Sequence, residues 1–155
     1  MTKKADFNAE EWSTVVEGPL LAGMRVIGAE RGGTIRESFA VGQAYNAGRE
    51  RAGESELVDE LVASPPALDR SKIEGGDVSA ASTERLREAV RILEEKATAE
   101  ELEAYGRFVL SVAEAAANAH KEGGFLGVGG QPVSEAERAA LDEIASLVRP
   151  SGPAA

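Results

Sequence analysis

Residues 98–123 read TAEELEAYGRFVLSVAEAAANAHKEG, and this stretch decides the fold class. It opens on Thr98-Ala99-Glu100-Glu101, a capping box in which the cap hydroxyl and the carboxylate three residues on each take a backbone N–H that the first helical turn leaves unpaired. Leu102, Tyr105, Val109, Ala113, Ala116 and His120 then recur every three or four residues, which is one face of a helix. Gly123 stops it. No segment of the chain sustains apolar–polar alternation. The chain is therefore predicted to be all-α, a compact bundle of about six helices in one domain, with an ordered core over about residues 8–149.

The flanking segments repeat this grammar. Leu86, Val90, Leu93 and Ala97 make the stripe of the preceding helix. Ser134-Glu135-Ala136-Glu137 is a second box, and its helix carries Leu141, Ile144, Leu147 and Val148 before Pro150 closes it and residues 150–155 fray. Near the start, Asn8 caps a helix whose first turn holds Glu10 and Glu11 and whose stripe runs Trp12, Val15, Val16, Leu20, Met24, Ile27. Gly18-Pro19 interrupts that stripe. An interior proline removes one helical donor and clashes with the turn before it, so a kink is expected there, or a second helix starting at Pro19. After Gly32-Gly33, the box Thr34–Glu37 opens a helix with a weaker apolar face (Phe39, Val41, Ala44, Tyr45) that frays between Gly48 and Gly53. A short helix over Glu54–Ala63 points Leu57, Val58, Leu61 and Val62 inward and ends at Pro65-Pro66. Residues 64–82 have the composition of a loop, either mobile or draped over the bundle with Leu68 and Ile73 as anchors.

The two halves share punctuation. Asn8–Glu11 and Thr98–Glu101 are offset by 90 residues, as are Gly33 and Gly123, while the boxes at Thr34 and Ser134 are offset by 100. Either a helix–stop–box–helix unit occurs twice, or alanine- and glutamate-rich helices coincide. In the first case the ten residues Gly124–Val133 are an insertion in the second copy.

Composition excludes several functions. A net charge of -10, with no Lys/Arg cluster interleaved with aromatics, argues against nucleic acid and anionic membranes as partners. The chain has no cysteine, which removes disulfides, thiolate metal sites and a cysteine nucleophile and fits the cytoplasm. No apolar h-region follows Lys3-Lys4, and no apolar run is long enough to span a bilayer.

The candidate site residues gather after residue 119. Gly124, Phe125, Leu126, Gly127, Val128, Gly129 and Gly130 form a glycine-rich stretch that feeds a helix N-terminus, an arrangement able to present backbone N–H groups to an anion. It lacks Gly-Lys-Ser/Thr, completes no G-x-G-x-x-G, follows a helix where the dinucleotide motif needs a strand, and meets Glu135 and Glu137. The preferred reading is a joint whose apolar residues plug the end of the bundle. His120, the one histidine, sits at a helix C-terminus, where its charged form is already favourable, and packing explains it better than catalysis. The acidic groups Glu10/Glu11, Glu54/Glu56/Asp59/Glu60 and Glu100/Glu101/Glu103 match no calcium loop or Glu-x-x-His pattern and read as solvated faces. Gly23, Gly42, Ala113 and Ala116 read as close helix contacts, within the bundle or between copies.

The segment from Ala116 to Leu147, with Val133-Ser-Glu-Ala-Glu137 through Leu141 at the turn, resembles the helix–turn–helix units of TerB-like, tellurite-resistance associated helical proteins. It departs from them in having Lys121-Glu122-Gly123 where they place an aspartate before the glycine, which puts a metal role for the turn in doubt. The resemblance implies an all-helical cytoplasmic bacterial protein linked to stress response or metal-ion sensing. From the residues themselves the expectation is a non-catalytic interaction or scaffold protein with no cofactor and no bound metal, acting on a protein partner or on itself. The alternative is a small-molecule or divalent-metal binder, or an enzyme, using His120–Val133.

Overall fold

A computed structural model describes residues 2–27, 35–63, 78–122 and 135–149 of the chain. After a 3-10 turn at Lys4–Asp6 come six helices: α1 (Ala9–Ile27), α2 (Ile35–Glu50), α3 (Glu56–Ala63), α4 (Val78–Lys96), α5 (Ala99–Glu122) and α6 (Glu135–Val148). The described residues contain no strand, as the missing alternation requires.

The caps set the starts. Asn8 Oδ1 accepts from the Glu11 N–H at 2.9 Å while Glu11 Oε2 accepts from the Asn8 N–H at 2.8 Å. Thr98 and Glu101 make the same reciprocal pair at 3.2 and 3.0 Å. Before the first cap, the Phe7 ring lies 5.6 Å from Trp12, a hydrophobic staple that fixes how the chain enters α1. α1 and α5 begin 90 residues apart and α2 and α6 begin 100 apart, the offsets of the sequence punctuation.

α5 is the central helix and packs against all five others. α1 lies against both α4 and α5. The ion pairs Glu11–Lys96 and Glu17–Arg85 run in opposite order along the two chains, so α1 and α4 are antiparallel. Most of the core is aliphatic, with Val15, Val26, Leu57, Leu61, Leu86, Leu93, Val109, Val112 and Ala113 all at 0–1% exposure, and Phe7, Trp12, Tyr45, Tyr105 and Phe108 are its aromatic members. Ala113 and Ala116 are buried as read, but Gly42 is exposed with nothing within 4 Å, so it makes no close contact within the bundle among the described residues.

Two expectations need correction. The first is the second helix starting at Pro19, because α1 runs on through Gly18-Pro19. Pro19 cannot donate to the carbonyl four residues back, which is that of Val15. The Tyr105 hydroxyl donates to this oxygen instead, at 2.8 Å, from the core of α5. Gly18 is what lets it in: a Cβ there would lie 2.0 Å from the Tyr105 oxygen. The second is the loop, which ends by Val78 and not after residue 82, so that Ser82 is a buried helical residue. Weak periodicity among small polar residues hid that first turn of α4. Leu68 and Ile73 lie outside the described residues, as do the caps at Thr34 and Ser134 and the tail 150–155.

Candidate functional site

The glycine stretch Gly124–Gly130 lies outside the described residues, and of His120 the backbone is described but not the side chain. None of the sequence-derived site side chains is among those the structure describes. It offers a different concavity, between the end of α2, the start of α3 and the outer side of α5.

The last turn of α2 builds one wall. Arg49 Nε donates to the Val62 carbonyl at 2.9 Å and ties the end of α2 to the end of α3. The chain then turns through Gly53, whose φ of 105° favours glycine and whose N–H goes to Asp59 Oδ2 at 2.8 Å. Ser55 follows at the cap position of α3, its carbonyl accepting from the Asp59 N–H at 2.9 Å. Gly48 lets α2 pack closely on α5 and α3, since a Cβ there would meet Phe108 at 2.9 Å and Val62 at 3.0 Å. Phe108 carries the edge-on ring of Tyr45, with centroids 5.2 Å apart.

The resulting cleft is lined by Gly48, Arg51, Ser55, Asp59, Arg107 and Phe108, among others, and has a volume of about 80 Å3. Clefts that enclose drug-sized ligands run from about 300 Å3 upward, so this one suits a few waters or a small polar molecule and no nucleotide. Its charges are mixed: Arg51, Arg107, Glu54 and Asp59 all line it, and Arg107 is already paired with Glu103 at 3.0 Å. The Ser55 hydroxyl is buried and has no hydrogen-bond partner. The hydroxyl of Tyr45, also unpartnered, is pushed well above the usual phenol range by burial and stays neutral. Chemically this is a hydrogen-bonding recess with an apolar floor.

Two enclosed polar groups elsewhere serve the architecture. Tyr105 is fully buried, and burial, with Tyr45 close by, raises its phenol well above the ordinary value. Glu101, expected on a solvated face, is 8% exposed. It accepts the Thr2 N–H at 2.6 Å, the Thr2 hydroxyl at 2.5 Å and the Thr98 N–H at 3.0 Å. Burial alone would raise its pKa, but these donors outweigh burial and hold the carboxyl below its usual range. The other acidic groups divide similarly: Glu11 holds Lys96 and the cap, Glu56 pairs with Lys3 at 3.0 Å, Glu60 takes the Lys4 N–H and Asp59 takes that of Gly53. Among the described residues no three potential ligands converge on a metal position.

Sequence reasoning missed Ser55, Glu101 and Tyr105. Gly18-Pro19 did signal that some side chain had to serve the Val15 carbonyl, without saying which. The chain matches no protein-family model, no curated protein and no solved structure. Among the described residues no helix is long and apolar enough to cross a membrane.

Proposed function

We propose that this chain is a non-catalytic helical interaction or scaffold protein, engaging a protein partner or a second copy of itself. One observation carries the reading: two enclosed reactive groups, the Tyr105 hydroxyl and the Glu101 carboxylate, are engaged with backbone groups of neighbouring segments. A catalytic group is poised for substrate, whereas these two are committed to holding elements in place. The resemblance of residues 116–147 to TerB-like units adds a bacterial stress response in the cytoplasm as the setting, on sequence grounds. Affinity capture of the tagged chain from its source organism, read by mass spectrometry beside sedimentation of the purified protein, tests the proposal. A stoichiometric partner or a stable dimer is expected. A monomer that captures nothing refutes it.

The cleft favours a second reading, a binding protein for a small polar molecule, because Ser55, whose buried hydroxyl lacks a partner, is one of its lining residues. A thermal-shift panel of small zwitterions, inorganic anions and divalent cations decides it. The reading stands on a shift that Ser55→Ala abolishes, and falls if no compound shifts the transition.

A further inference from the structure

We propose that residues 2–7 form an acid-releasable strap, clamped across the starts of α3 and α5 by glutamate side chains. The strap is tied down in an unusual way. Its backbone donors at Thr2 and Lys4 go to the side chains of Glu101 on α5 and Glu60 on α3. Thr2 is 5% exposed and its hydroxyl reaches both Glu101 and the Lys96 carbonyl. The hydrophobic end of the strap, Phe7, is buried beneath Lys96, whose ammonium lies 5.7 Å from the ring centre.

The donors around Glu101 favour its ionised form against burial, while Glu56, Glu60 and Asp6 share the Lys3 ammonium. Glu101 faces the Thr2 and Thr98 N–H groups and the Thr2 hydroxyl. Glu60 faces the Lys4 N–H and the Lys3 ammonium; Glu56 and Asp6 also face Lys3. Lys96, at the end of α4, holds the Asp6 carbonyl at 3.1 Å and Glu11 at 2.7 Å, and Glu11 also feels Arg91.

Protonation turns this arrangement against itself. Both Glu101 oxygens already receive backbone N–H donors, Thr2 on one and Thr98 on the other. An N–H cannot reverse its role, so an added proton competes with a donor. A carboxyl held below its ordinary value contributes stability that is fully present above about pH 4.5 and is lost as pH falls through the folded-state value. Glu11 on α1 and Glu88 on α4 are held low as well, but those helices have their own backbone ladders, which residues 2–7 lack, so the strap loosens first.

Backbone 15N relaxation of the whole chain, titrated from neutral into acid beside far-UV circular dichroism, tests this. At neutral pH residues 2–6 are expected to be as rigid as α5, with order parameters near about 0.85, falling below about 0.6 in acid while helix content holds. Glu101→Gln, which places a donor where a carboxylate oxygen accepted, is expected to loosen the strap at neutral pH. Glu60→Gln, at a less buried position, is expected to loosen Lys4 there and so keeps the test decisive if the first variant does not fold. The proposal is overturned if the strap stays rigid in acid with the helices intact, if it loosens only together with the helices, or if the variants are as rigid as the wild type at neutral pH.

Discussion

Removing one oxygen from Tyr105 should cost far more than its size implies, and Pro19 should determine how much. Tyr105→Phe leaves the Val15 carbonyl with no donor, since Pro19 has none to give and both Val15 and Tyr105 are at 0% exposure, out of reach of water. An orphaned buried acceptor costs about 1–3 kcal/mol. For a chain of this size that lowers Tm by roughly 2–12 °C. In a Pro19→Ala background the residue at 19 regains an N–H, which closes the ordinary helical bond to Val15. The same Tyr105→Phe change should then cost less than about 1 kcal/mol. Urea denaturation of the wild type, both single variants and the double variant isolates the coupling, expected at about 1–2 kcal/mol. Equal costs for Tyr105→Phe in the two backgrounds, within about 0.5 kcal/mol, would refute the idea that the hydroxyl substitutes for the proline's missing donor.

Gly18→Ala sets a methyl 2.0 Å from the Tyr105 oxygen. Chemical denaturation should show a loss of about 1–3 kcal/mol despite the better helix propensity of alanine, and adding Tyr105→Phe should recover part of it by removing the clashing atom. Ser55→Ala should change stability by less than about 0.5 kcal/mol in thermal melts, because its hydroxyl has no partner to lose; a loss of about 1 kcal/mol or more would mean that the hydroxyl works as a helix cap. Arg91→Ala removes pairs with Glu88 at 2.6 Å and Glu95 at 2.5 Å on an exposed face of α4. Its cost should stay below about 1 kcal/mol and fade as salt is raised, which a melt at two ionic strengths checks.

The parts of this fold that were legible in the sequence are those decided within a turn or two of chain. Asn8 with Glu11, and Thr98 with Glu101, are local pairs, and they form as read. So do the stripes of α4, α5 and α6, whose Leu86, Leu93, Val109 and Ile144 are buried. What the sequence hid was settled at long range. Whether Pro19 breaks α1 depends on who takes the Val15 carbonyl, and that donor is 90 residues from its acceptor. Glu101 looks like any first-turn glutamate until Thr2, 99 positions away, arrives on its oxygens. The cleft belongs to the same class, because Gly48, Ser55 and Phe108 lie on three different helix ends or faces and no spacing connects them.

The two long-range cases have a common logic that a local reading inverts. A proline in a helix and a glutamate in a first turn are ordinarily scored by what they do to their own element, one as a breaker and the other as a solvated dipole partner. Here each instead presents a backbone-satisfying opportunity to another element: Pro19 exposes an acceptor that only a donor from α5 fills, and Glu101 supplies acceptors that the strap lacks. Both interactions are made to α5, which touches every other helix. The position of α5 in the bundle is therefore fixed by directional polar bonds near its N-terminal half as well as by the small aliphatic side chains of its stripe. A chain with few aromatics to set shape gains its unique packing in this way, since alanine and valine surfaces alone admit many near-equivalent helix registers.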